Sequence, residues 1–285
     1  MNDARITKMP PWLSRRLPPV GLSKEVNSYL KKAAIETVCT NSRCPNLCEC
    51  YSGGNVSFLI LGNVCTRNCL FCAVKKGEPA AVDAREPHAI AGAVKKLRLQ
   101  YVVITSVTRD DLPDGGAGHY SNVVKAIKSI SPLTVVETLT PDFGGAADKI
   151  ESVITCGIDV FSHNMETVKR LYPKIRSMAD YSRSLKVLAS AAAHKKVPVK
   201  SGFMLGLGET KEEIVRLMTD IRETGCDFLT IGQYLSPKGS FLKVEEYIHP
   251  DTFGALKIKA LGIGFKKVAS GPFVRSSYRA NEVFA

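Results

Sequence analysis

Six apolar runs rich in β-branched and aromatic residues recur along the chain, at residues 56–61, 101–107, 134–139, 158–163, 197–205 and 228–235. Helix-like amphipathic stretches lie between them, at 87–99, 120–130, 146–156, 177–194 and 211–224, and 166–172 adds a short piece to the fourth connection. A strand that is apolar throughout must be covered on both faces, so alternation with helices predicts a parallel sheet of the α/β class. Six such units fit an open doubly wound sheet or a (β/α)6 barrel, complete or partial. A last helix at 250–261 and a strand-like segment at 267–274 close the chain. In either architecture chemistry sits at the carboxyl ends of the strands. Polar and glycine residues do follow the runs: Thr108 to Asp111, Pro141 with Asp142, Asn164 with Glu166, and 206–209. Ordinary turn chemistry could account for any one of these loops by itself.

The first 38 residues do not share this rhythm. Prolines at 10, 11, 18 and 19 exclude a long helix there, because proline lacks the donor and restricts its neighbour. A short helix is expected over 23–32 with Ser23 as its N-cap. The cysteine-rich stretch 39–54 reads as irregular loop. The expected organisation is an N-terminal arm and cysteine segment (1–54), the β/α body (55–240) and a C-terminal extension (241–285).

Composition narrows the class. At 285 residues with 45% hydrophobic and 23% charged positions, the chain can bury a core without disulfides and is not mainly disordered. It has no apolar run of the roughly eighteen residues a membrane-spanning helix needs, and the first twenty residues carry no apolar stretch of the kind a secretory signal needs. The net charge of +12 favours acidic partners, although it serves solubility equally well.

The nine cysteines change the picture most. Seven fall between Cys39 and Cys72. An odd, tightly clustered set with no export signal reads as metal ligation in a reducing, cytoplasmic compartment rather than as disulfides. Cys65, Cys69 and Cys72 have the spacing C-x3-C-x2-C directly after the first strand. Three thiolates on one tight loop can hold three corners of a four-iron cluster and leave one iron open. Zinc is the alternative, but three ligands without a nearby histidine do not complete its tetrahedron. Upstream, Cys39, Cys44 and Cys50 have the spacing C-x4-C-x5-C, with Cys48 between them as a spare thiol or alternative ligand. Cys156 and Cys226 are expected to pack as small apolar residues.

With its C-x3-C-x2-C motif after the first strand of a (β/α)6 pattern, the chain resembles the radical S-adenosylmethionine (SAM) superfamily. Within it, the chain is similar over nearly its whole length to the lipoyl synthase family. The matching stretches are the Cys44-Pro45-Asn46 and Glu49-Cys50 block, 65–72, 105–120, 163–167, 200–210, 229–235 and Arg275-Ser276-Ser277-Tyr278. The resemblance implies a partial (β/α)6 TIM-type barrel with N- and C-terminal extensions. It implies two four-iron clusters: one on Cys65, Cys69 and Cys72, whose open iron binds SAM, and an auxiliary one on Cys39, Cys44, Cys50 and Ser277. It implies insertion of two sulfur atoms, at carbons 6 and 8 of an octanoyl group held on a lysine of a lipoyl carrier domain. Two SAM molecules are cleaved in turn, and the auxiliary cluster is consumed as sulfur donor. A serine oxygen is a poorer match than thiolate for iron in a sulfide cluster, so it should leave more readily.

The expected carriers are octanoylated lipoyl domains of 2-oxoacid dehydrogenase complexes and the glycine cleavage H protein. A flavodoxin or ferredoxin would supply electrons and an iron–sulfur carrier would rebuild the auxiliary cluster, with no nucleic acid or membrane partner. Residues 200–210 resemble the superfamily's glycine-rich segment, in which Gly206 and Gly208 allow close approach of the backbone to the cofactor. Glu137, Asn164, Glu166 and Lys200 are candidates for the ribose hydroxyls or the methionyl group. His163 and Arg176 either face the substrate or are strand-end polar groups. His88, His119, His194 and His249 read as bystanders, with His119 the exception to watch because it lies in a matching stretch. Ser162 departs from the family, which often has asparagine there. Arg15, Arg16 and Lys24 of the arm are candidates for attracting an acidic carrier. The rival readings are another sulfur-inserting radical SAM enzyme with an added cluster, and a metal-bearing nucleic-acid-binding module. The second asks for basic residues interleaved with stacking aromatics, and aromatics are only 7% here.

Overall fold

The computed structural model describes residues 9–14, 21–237, 240 and 242–283. Arg15 and Arg16 lie outside the described residues, and Lys24 is exposed on the first helix. The elements run in chain order as α1 (Gly21–Lys32), α2 (Val38–Asn41), α3 (Leu47–Ser52), β1 (Val56–Ile60), β2 (Val64–Cys65), β3 (Lys75–Lys76), α4 (Glu86–Lys96), β4 (Tyr101–Ser106), α5 (Ala117–Ile130), β5 (Val135–Leu139), α6 (Ala147–Ile154) and β6 (Val160–Ser162). The second half holds α7 (Tyr172–Ile175), α8 (Tyr181–Ala193), β7 (Val199–Leu205), α9 (Lys211–Glu223), β8 (Phe228–Gln233), α10 (Pro250–Ile263), β9 (Lys267–Gly271) and α11 (Ala280–Val283).

Seven strands form one parallel sheet in the order β1-β4-β5-β6-β7-β8-β9. Spatial order follows chain order with no reversal. A doubly wound sheet would switch direction midway, so the fold is the α/β partial barrel, with β1 and β9 as its edges. All six expected runs supply a strand. The seventh, β9, pairs Phe228–Gly232 of β8 with Lys267–Gly271.

Two apolar clusters show how the sheet is covered. Val102, Ile104, Val136, Leu229, Ile231 and Val268 belong to the main core beneath the helices. The intervening Tyr101, Val103 and Phe228 form a second, smaller cluster with Ala280. This is the period-two alternation of strand side chains, one set outward to the helices and the other into the barrel. The inner set is closed by Ala280 of the C-terminal segment.

Local chemistry moves several boundaries from their expected places. α1 starts at Gly21, and Ser23 is buried within it rather than capping it. α5 starts at Ala117, after the left-handed Gly116. α8 starts at Tyr181, where the Asp180 side chain accepts from the Arg183 N–H. α9 begins with a capping box in which Thr210 and Glu213 satisfy each other's backbone N–H groups. Residues 39–54 are not an irregular loop: α2 is capped by Thr37, and α3 carries Cys48 and Cys50. The sequence signal failed there because turns this short carry no apolar period. Residues 166–172 do not form one helix. Glu166 bridges to β7, donating its N–H to Gly202 and accepting from the Met204 N–H, and only a 3-10 turn follows at Lys169–Leu171.

Candidate functional site

A cavity of about 600 Å³ opens at the carboxyl ends of the strands. Its wall includes Cys39 and Cys44 from the upstream triplet, Cys65, Cys69 and Cys72 from the second, and Ser277. Cys50 and Cys48 stand half-buried on α3, outside that wall. Cys226 is buried and Cys156 half-buried, both away from it.

The second triplet sits on a loop tied down almost residue by residue. The backbone N–H groups of Arg67 and Thr108 approach the Cys65 sulfur at 3.4 and 3.3 Å. Thr66 donates to the Thr108 carbonyl from both its N–H and its hydroxyl, at 3.1 and 3.0 Å. Leu70 donates to the Ile175 carbonyl at 3.0 Å, and Lys76 donates to the Cys72 and Val74 carbonyls at 2.7 Å. Arg67, inside the motif, grips Asp110 and Asp142 with two hydrogen bonds each, of 2.7–2.9 Å. Arg183 adds a third contact to Asp142 at 2.9 Å. Burial would raise the Asp142 pKa, but Arg67, the Gly144 N–H and Arg183 together hold it well below the usual carboxylate range.

The upstream triplet is set by α2 and α3. The Tyr51 and Thr37 hydroxyls share a buried hydrogen bond of 2.8 Å that fixes α3 against the α2 cap. This segment holds the C-terminal motif from both sides. Asn46 Nδ2 donates to the Phe273 carbonyl at 2.7 Å, and the Tyr278 hydroxyl donates to Glu49 Oε1 at 2.6 Å. Ser277 lies between those anchors. Gly232 makes the approach possible, because a Cβ there would overlap the Val274 carbonyl oxygen.

The donor set fits iron–sulfur clusters. Burial, then neighbouring Cys44, pushes the Cys39 thiol up to about 11, and burial raises Cys69 and Cys72 as well. Such thiols stay protonated at neutral pH unless a metal replaces the proton. Among the described residues no group of three or more His, Cys, Asp or Glu side chains is gathered as a site for one metal ion.

The same cavity has a polar wall with unspent hydrogen-bonding capacity, which meets the cysteine loop where Arg176 lies beside Cys69. His163 Nδ1 donates to the Thr140 carbonyl at 2.9 Å, which leaves Nε2 buried and without a partner. Burial, then the Arg176 charge, pulls the His163 pKa down to about 4, so the ring is neutral. Arg176 donates to the Asn164 and Met165 carbonyls and to the Tyr172 hydroxyl, and its Nε is buried and unpartnered. Asn164 donates to Glu166 Oε1 at 3.0 Å and to Ser276 Oγ at 2.6 Å, and its own Oδ1 is unpartnered. Glu166 has φ of +65°, costly for a non-glycine residue and tolerable here because the β7 bridge fixes it. Burial raises its pKa despite Arg176.

The other candidates lie elsewhere. Glu137 and Lys200 are fully buried behind the wall as an ion pair. Gly206 and Gly208 both have positive φ but do not line the cavity. A Cβ on Gly206 would overlap Gln233 and the Glu246 carbonyl, so glycine is needed there for packing. His119 pairs with Glu86 at 2.6 Å, and Glu86 also accepts the Leu61 N–H at 2.9 Å, at the exit of β1. Its position in the sequence flagged His119, but its role is structural support for that turn. The sequence alone assigned no role to Arg67, Tyr101, Gly232 or Ser276, although Gly232 and Ser276 fall in matching stretches and Arg67 lies inside the cysteine motif.

Comparison with known proteins gives the geometry its context. The family model described as the radical SAM superfamily matches residues 59–221. A lipoyl synthase of Caldicellulosiruptor saccharolyticus is 54% identical over 277 residues, covering 97% of both chains. One of Rubrobacter xylanophilus is 50% identical over 274 residues, covering 96% of this chain and 85% of its own. Among solved structures, the FeFe-hydrogenase maturase HydG of Carboxydothermus hydrogenoformans superposes with a TM-score of 0.61 at 12% identity, over 87% of this chain and 65% of that one, which speaks to the fold alone.

Proposed function

The chain belongs to the lipoyl synthases of the radical SAM superfamily, and on that premise we propose how its residues divide the reaction. Cys65, Cys69 and Cys72 hold the cluster that takes SAM, and Cys39, Cys44, Cys50 and Ser277 hold the auxiliary cluster. When bound, the first would supply the electron that cleaves SAM to a deoxyadenosyl radical, and the second the sulfur for carbons 6 and 8 of the octanoyl chain.

The protein's part is to bind, orient and exclude water. His163 Nε2, Asn164 Oδ1 and Arg176 Nε offer an acceptor, a second acceptor and a cationic donor to a polar ligand, and their lack of internal partners supports that use. Arg176 suits a carboxylate, and the neutral His163 ring suits a hydroxyl or ammonium donor. Val107, Leu139 and Val274 give the cavity an apolar side for an acyl chain. No side chain need act as a general base. The acyl chain arrives on a lysine of a lipoyl carrier domain, and the +12 charge suits an acidic carrier. No helix among the described residues is long and apolar enough to cross a membrane.

The observation that carries this reading is one cavity faced by members of both cysteine triplets and by Ser277. The test is an anaerobic assay with SAM, a reductant and an octanoyl-lysyl peptide, read by mass spectrometry for two added sulfurs. Iron analysis should approach about eight per chain by the count of two four-iron clusters. A chain that holds a single cluster, or releases peptide without sulfur while cleaving SAM, sinks the proposal.

A further inference from the structure

Lys200 and Glu137 are an ion pair with no exposure on either side chain, 2.5 Å apart within the barrel. A buried pair of this kind is seldom more stabilising than apolar residues of the same volume, so its presence asks for a geometric reason. Its surroundings supply one. The Tyr101 hydroxyl donates to Glu137 Oε2 at 2.7 Å, which orients the carboxylate. Lys200 Nζ, held by that carboxylate, donates to the Ser276 carbonyl at 2.8 Å. Ser276 immediately precedes Ser277, and its own hydroxyl accepts from Asn164 at 2.6 Å. With Asn46 on Phe273 and Glu49 on Tyr278, these contacts tie the C-terminal motif to three separate parts of the chain.

We propose that Lys200, oriented by Glu137 and Tyr101, is the positioning residue that holds the Ser277 hydroxyl toward Cys39 and Cys44. This rests on the reading of Ser277 as the fourth ligand of the auxiliary cluster. The peptide between residues 276 and 277 carries the Ser276 carbonyl, so a donor fixed on that oxygen fixes the rotation of the whole peptide plane. The direction in which Ser277 leaves the chain is thereby set. Lys200 comes from β7 and Glu137 from β5, so the reference frame is the rigid sheet rather than the loop itself. A ligand that must leave when the substrate arrives gains from an anchor on its neighbour: the oxygen can swing away while its backbone stays in place.

The test uses the full chain, anaerobically reconstituted, as the double variant Lys200→Met with Glu137→Gln. It removes both charges together and leaves Tyr101 an oxygen to donate to. Deoxyadenosine formation from SAM is expected to persist. Sulfur insertion is expected to fall on the order of a hundredfold, the usual effect of ångström-scale misplacement. Iron analysis and Mössbauer spectra of the auxiliary centre should show about one labile iron per chain, the count for one unsupported corner of a cluster. Ser277→Ala should give the same spectral change; if it leaves the spectrum intact, the serine-ligand reading itself fails. If Ser277→Ala alters the spectrum while the double variant keeps wild-type spectra and sulfur insertion, the positioning role is overturned and the ligand reading stands. Loss of SAM cleavage together with sulfur insertion would also overturn it, because Lys200 would then serve the cofactor or the fold at large. Should the double variant not fold, Tyr101→Phe keeps the volume and deletes one hydroxyl; it should weaken sulfur insertion several-fold without touching SAM cleavage, and an unchanged sulfur-insertion rate would count against the proposal.

Discussion

The guanidinium of Arg67, two residues after the first cysteine of the C-x3-C-x2-C loop, meets the buried carboxylate of Asp142 through two hydrogen bonds of 2.9 Å. The same guanidinium is bidentate to Asp110, so the loop that carries Cys65, Cys69 and Cys72 is fastened to the ends of β4 and β5. The Arg67→Met variant leaves Asp142 buried with one cationic partner fewer. It should lose about 3 kcal/mol of stability, the usual cost of breaking a buried pair from one side. Arg67→Lys keeps the charge but not the fork, and should fall between. Denaturant titration checks the order; equal stability of all three proteins would contradict it.

The two cysteine triplets should fail differently. Cys69→Ala is expected to abolish deoxyadenosine formation. Cys39→Ala should leave that cleavage largely in place and stop sulfur insertion. Chromatography of deoxyadenosine beside mass spectrometry of the peptide separates the two, and an equal loss of both products in Cys39→Ala would contradict the division of labour.

His163 should make the fold acid-sensitive in a defined window. Its pKa is about 4 in the folded chain, against about 6.5 unfolded. Above pH 6.5 neither state binds the proton and the full contribution is present. As pH falls from 6.5 towards 4 the unfolded chain takes up the proton and the folded chain does not, so stability is lost. Below 4 both are protonated and the loss stops growing. Between pH 7.5 and 5.5 the wild type should lose about 1.4 kcal/mol more than His163→Gln. Asp142, held far below the usual range by its arginines, adds nothing in that window. An imidazole NMR signal of His163 that titrates near 6.5 would refute this.

Gly232→Ala should act at a distance from its own position. Its Cβ would overlap the Val274 carbonyl, a backbone atom that cannot rotate away. The C-terminal motif must then shift, at a cost of about 1–3 kcal/mol typical of overpacking. Sulfur insertion should suffer more than SAM cleavage, which the ratio of the two products measures.

The amino-acid sequence by itself determined the parts that local pattern can encode. Six apolar runs became six strands in order, because a strand buried on both faces must be apolar at every position. That Cys65, Cys69 and Cys72 face one cavity was legible because residues on one short loop are neighbours in sequence as well as in space. Where the pattern was too short to carry a period, as in α2 and α3, even local structure was missed.

Only the tertiary structure decided what Lys200, Glu137, Asn164 and Arg67 do. Lys200 and Ser276 are 76 residues apart, Asn164 and Ser276 are 112, and Asn46 and Phe273 are 227. No periodicity reports such pairs, because each contact exists only once the sheet has curved and brought its strand ends and the C-terminal segment together. The sequence therefore identified which side chains could bind metal, and the curved sheet of the partial barrel decided which other side chains surround them.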